Sequence, residues 1–135
     1  MQHETTISSR FNGPPASGNG GYSCGVLGAH LAGPARVRLH VPPPLDTVLR
    51  ISRLPDGSIE MHDGDTLVAS GSSAHLDLEV PAPPSEDEAR AAMASFPCYE
   101  GHMFPTCFVC GPERSQQDGL ELFAGPVAGN PSLWA

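Results

Sequence analysis

Lysine is missing from this 135-residue chain; its seven Lys/Arg positions are all arginine. That absence removes a lysine Schiff base, a phosphate-loop lysine and any lysine nucleophile from the chemistry the chain can supply. Positive charge is scarce as well, with a formal net charge of −8 at pH 7. A nucleic-acid partner requires a basic face to displace counterions, so none is expected. Long apolar runs are also lacking. None approaches the ~20 residues needed to cross a bilayer, so no membrane partner is expected. Met1-Gln2-His3-Glu4-Thr5-Thr6 has neither the basic nor the apolar region of a secretory leader. A cytoplasmic setting follows, in which Cys24, Cys98, Cys107 and Cys110 are thiols rather than a disulfide framework.

Glycine and proline are abundant, 15 of each, and they shorten elements and multiply turns. Residues 4–11 read as an edge-like strand with Ile7, Ser9 and Phe11 on one face. Asn12 to Gly18 is loop by composition. The stretch from about Gly20 to Leu31 reads as a helix, apolar nearly all round and therefore buried. Gly21, Gly25, Gly28 and Ala29 recur along it at helical spacing and would let a sheet approach closely. Gly33-Pro34 ends it.

Strand-like segments follow. Ala35 to Val41 alternates, with Val37, Leu39 and Val41 inward and Arg36, Arg38 and His40 outward. Leu45 to Arg53 places Leu45, Thr47, Leu49 and Ile51 on one face. Pro55-Asp56-Gly57 turns into a short strand at 58–61, and Thr66 to Val80 forms a longer one bent at Gly71. Ser85-Glu86-Asp87-Glu88 matches a capping box and opens a helix from Glu86 to Ser95. Short connections make the sheet antiparallel, and the fold class is α+β, a curled antiparallel sheet wrapped around one central helix. The organisation expected is a unit over 1–82, a linker with a short helix over 83–103, and a further segment over 104–135.

The chemistry concentrates at Asn19-Gly20-Gly21-Tyr22. A glycine-rich helix start leaves N–H groups uncovered at the positive end of the helix dipole, which suits a carboxylate, a phosphate or a developing oxyanion. A plain turn and helix cap is the simpler alternative. It is not a dinucleotide fingerprint, because Ser23 stands where a third glycine belongs. Cys98, His102, Cys107 and Cys110, spaced C-x3-H-x4-C-x2-C, are residue types that zinc accepts. The alternative is a pair of small buried thiols, Cys107 and Cys110, which a strand would place on different faces. Cys24 is read as inert packing.

Three passages carry a family resemblance: Asn19-Gly20-Gly21-Tyr22, Arg36 to Pro44, and Asp63 to Gly71. In that order they resemble the hotdog-fold acyl-CoA thioesterases of the double-hotdog type. Cys107-Phe108-Val109-Cys110-Gly111-Pro112 followed by Gly119 to Phe123 resembles the opening of a second such unit. The resemblance implies a hotdog-like unit that pairs as a dimer and seats an acyl-CoA or acyl-carrier-protein thioester. By the same carry-over Gly20 and Gly21 donate to the thioester oxygen, with Asn19 beside them. Tyr22, Val26 and Leu27 line the acyl site, and Arg36 and Arg38 face the phosphates. No cofactor is implied. The chain departs from the family in having no Asp or Glu between Tyr22 and Leu31. Two alternatives to a hydrolase therefore stand beside it, a non-catalytic degenerate hotdog module and a zinc-stapled interaction module.

Overall fold

Alternation of apolar and polar side chains builds the central strands. In β3 (Val48–Arg53) Leu49 and Ile51 point inward and are buried, and in β4 (Ile59–Asp63) Ile59 and Met61 do the same. The structure is a computed structural model that describes residues 2–135. The chain divides into two compact units, one running to Asp77 and the other Leu78–Ala135.

The first unit carries a five-stranded sheet of order β1-β3-β4-β5-β2, with every neighbouring pair antiparallel. Its remaining strands are β1 (Gln2–Thr6), β2 (Ala35–Leu39) and β5 (Thr66–Ser73). Helix α1 (Gly20–Gly28) lies between β1 and β2 in the chain and packs on β2, β5 and β4. Ile7, Leu27, Leu49, Met61 and Val68 are fully buried between helix and sheet. Thus the fold is α+β, one helix on an antiparallel sheet, as expected.

Several boundaries differ from the sequence expectation. The first strand stops at Thr6, and Ser9–Phe11 form a 3-10 turn capped by Ser8. The Ser9 amide bonds to Asp46 Oδ1 at 2.9 Å and the Arg10 amide to Ser8 Oγ at 3.3 Å, so side chains take donors that a strand ladder would use. The α1 helix ends at Gly28, and Leu31 closes a tighter turn by donating to Gly28 C=O at 2.9 Å. Nor is α1 buried all round. Its buried residues are Ser23 and Leu27, one turn apart on the sheet side, whereas Gly21 and Gly25 are exposed. Strand β5 stops at Ser73 because its partner β2 begins at Ala35; the Ala74 amide still reaches Pro34 C=O at 2.8 Å. Beyond it, Leu76, Leu78 and Val80 alternate like a strand but pair with nothing among the described residues, and all three are exposed.

One irregularity explains consecutive buried residues in β5. Met61 faces Ala69 and His62 faces Leu67, so Val68 is an extra residue opposite none. This bulge turns both Val68 and Ala69 into the core.

The second unit starts with α2 (Glu86–Met93), whose capping box is present as the sequence predicts. The Glu88 amide donates to Ser85 Oγ, and the Ser85 amide to Glu88 Oε2 at 2.8 Å. A chain of turns follows, then a hairpin of β6 (Pro126–Val127) and β7 (Asn130–Trp134). Phe96, Tyr99 and Phe123 form a ring cluster with centroids 5.2–5.4 Å apart. Apolar burial is otherwise thin: Ala92, Cys107 and Val127 are the buried hydrophobic residues here.

Candidate functional site

The start of α1 is assembled from three directions. Asn19 N–H donates to Phe11 C=O and Gly18 N–H to Pro43 C=O, both at 2.8 Å, which ties the glycine-rich loop to the 3-10 turn and the proline loop. Asn19 is the N-cap: its Oδ1 accepts from the Tyr22 amide at 3.1 Å. Ser23 Oγ donates to Asn19 C=O at 2.8 Å, so a fully buried hydroxyl is satisfied inside the first turn. A Cβ on Gly18 would meet Ser23 Oγ at 2.7 Å and Ile7 Cγ2 at 3.0 Å, so only glycine lets the loop pass this close. Tyr22 stacks on Phe11, centroids 4.0 Å apart at 11°.

These contacts leave the amides of Gly20 and Gly21, the first two of the helix, without an acceptor among the described residues. They carry the positive end of the α1 dipole. Gly20 lies over β2, where a Cβ would touch Leu39 Cδ1 at 3.5 Å. A shallow groove of about 450 Å³ runs beside the helix between Cys24, Gly25 and Gly28 on one side and Ala35 and Val37 on the other. At the far end of α1, Arg53 Nη2 donates to His30 C=O at 2.6 Å. No local pattern announces that long-range cap. The His30 ring instead lies 5.2 Å from that of His3.

The sequence-predicted residues separate into groups. Asn19, Gly20, Gly21 and Tyr22 come together at the helix start. Val26 is half-buried on α1, and Leu27 is fully buried in the core. Alternation in β2 puts Val37 and Leu39 toward α1 and leaves Arg36 and Arg38 exposed on the opposite face. On that outer face His40 Nε2 lies 2.8 Å from Ser70 Oγ. Burial raises the Cys24 thiol pKa, although the side chain is only partly buried and lines the groove.

No family model, curated protein or solved structure matches the chain. In the first unit the geometry offers two N–H donors without an acceptor among the described residues, a groove of mixed polarity along the later turns of α1, and no acid or base within α1.

The second unit holds a thiol turn. Cys107 and Cys110 were expected on opposite faces of a strand, but residues 107–110 form a turn. Cys107 N–H donates to Phe104 C=O at 2.9 Å and Gly111 N–H to Cys107 C=O at 2.8 Å, which folds the segment back and brings the two Sγ atoms to 3.8 Å. His102 Nε2 stands 3.3 Å from Cys110 Sγ, while its Nδ1 accepts from the Phe104 amide at 2.9 Å. That acceptor role assigns the proton of the neutral ring to Nε2, which donates to the sulfur. The Cys110 thiol pKa is pushed up to about 11, chiefly by burial, then by its bond to Cys107 and the charges of Cys107 and Cys98. Among the described residues, no three His, Cys, Asp or Glu side chains are gathered so as to hold a metal ion.

Proposed function

We propose that the first unit is a hotdog-type module that binds an acyl thioester without hydrolysing it by itself. The carrying observation is the pair of unpartnered amides at Gly20 and Gly21. A thioester carbonyl oxygen placed there accepts two N–H bonds at the positive helix end. The acyl chain then lies along the Gly25, Gly28 and Val37 groove, with Cys24 at its edge. The sheet order β1-β3-β4-β5-β2, with α1 inserted after β1 and laid on β2, β5 and β4, supports the hotdog reading.

Binding is favoured over turnover because polarising a carbonyl is half of hydrolysis. The other half is a group that activates water. The helix carries no carboxylate, and Cys24 is a high-pKa thiol. A second copy set across the exposed Gly21–Gly25 face would enclose the groove, and any base would come from that partner. Titrating the full chain with saturated acyl-CoA thioesters of increasing length tests the reading. Saturable binding that tightens with chain length is expected, and no binding at any length refutes it. Thioester cleavage above the buffer rate would overturn the non-catalytic part alone.

A further inference from the structure

We propose that Cys107 and Cys110 are an oxidisable dithiol that closes into an intramolecular disulfide on meeting a small disulfide oxidant such as glutathione disulfide. The two sulfurs already stand 3.8 Å apart within one tight turn, so they need to close by only about 1.8 Å to reach the length of an S–S bond. Gly111 keeps the turn this tight. A Cβ there would collide with the Cys107 amide and sit 2.5 Å from Pro105 O.

Accessibility assigns the order of events. Cys110 is partly exposed and Cys107 is buried. The Cys110 thiol loses its proton, attacks one sulfur of the oxidant and expels a thiolate, leaving a mixed disulfide on Cys110. Cys107 then loses its proton and attacks Cys110 Sγ, expelling the second thiolate. The protein gives up two protons and two electrons, and glutathione disulfide becomes two glutathione thiols. His102 is a positioning residue, because its Nε2–H donates to the Cys110 sulfur as negative charge develops there. The raised Cys110 pKa slows the exchange by limiting the thiolate fraction and does not change its direction.

The bond closes a loop of only four residues, so it locks this turn and leaves the rest of the unit unconstrained.

The full reduced chain, freed of metal and air, is incubated with glutathione disulfide, and its thiols are counted by alkylation and mass. The expected result is a fall from four thiols to two, with peptide mapping placing the bond between Cys107 and Cys110. Cys107→Ser should stop the reaction at glutathione on Cys110, whereas Cys110→Ser should abolish reaction at this turn. If either variant misfolds, Cys24→Ser with Cys98→Ser leaves the turn intact and reads the same closure as two thiols to none. Four thiols persisting, a bond from Cys98 instead, or zinc bound one-to-one that shields both sulfurs in the protein as purified would each overturn the proposal.

Discussion

Replacing Gly20 by proline separates the helix-start amide from everything else that residue does. Gly20 is the first helical position, where proline is well tolerated because its missing N–H has no intrahelical partner. The preceding Asn19 has φ −57° and ψ 131°, the extended conformation that a residue before proline prefers. A Cβ here makes ordinary contact with Leu39 Cδ1 at 3.5 Å. Backbone restriction at a compatible site stabilises by roughly 0.4–1 kcal/mol, so Gly20→Pro should fold at least as well as the parent. What it removes is one donor. A single hydrogen bond to a neutral carbonyl has a net worth of about 0.5–1.5 kcal/mol, which is roughly a 2- to 13-fold weaker Kd for an acyl-CoA. Gly20→Ala, which keeps the N–H and adds the same Cβ, is the control and should bind within about twofold of the parent. Calorimetric titration of the three proteins with one acyl-CoA decides the matter. Equal affinity of Gly20→Pro and Gly20→Ala would refute amide recognition, and equal losses in both would show steric blockage instead. If a partner supplies a base and turnover occurs, the same substitution should cost about 10²–10³ in rate, since an oxyanion donor acts mainly in the transition state.

Leu27→Ala empties a fully buried position between α1 and the sheet and should cost about 2–5 kcal/mol, read as a lowered denaturant midpoint. Gly111→Ala forces a Cβ against the Cys107 amide and should open the thiol turn, so alkylation of native protein would label Cys107 faster than in the parent. The Glu88 carboxyl pKa is lowered, first by the Ser85 hydroxyl and then by the Ser85 amide. The sign follows: the bond adds to α2 above the ordinary carboxylate pKa and is lost as pH falls through the lowered folded value. Helix content by circular dichroism should therefore decline on acidification, and Glu88→Gln, which preserves the reciprocal cap, should flatten that part of the curve.

Local rules made much of this chain legible. The Ser85–Glu88 capping box is a short-range signal and α2 begins where it says. Alternation in Val48–Arg53 places Leu49 and Ile51 inward, and the structure buries both. Sequence reading failed where the outcome depends on a neighbour. Leu76-Asp77-Leu78-Glu79-Val80 has a strand pattern, but β2 has already ended and no ladder is there to join. The all-apolar α1 looked wholly buried because its outer residues are glycines, whose lack of polarity says nothing about what covers them. The Cys107–Cys110 contact was hidden because a period-2 reading separates residues three apart, whereas a turn brings them together. Arg53 capping α1 through His30 links positions 23 residues apart, and no local pattern could supply it.

The extra residue at Val68 acts as a half-period phase shift within β5. Upstream and downstream of it, the strand obeys opposite parity rules for which side chains face the helix. Removing that one residue would give a regular ladder in which Ala69 still faces Met61 and Leu67 still faces His62, so the core would lose the Val68 side chain while every other residue kept its face. A one-residue deletion at Val68 thus leaves the pairing intact, whereas one at Ser70 would slide Ala69 opposite Glu60 and out of the core. Pooled deletion scanning should therefore show single-residue deletions better tolerated at Val68 than at Ser70–Ser72, a signature that can be read without knowing the ligand.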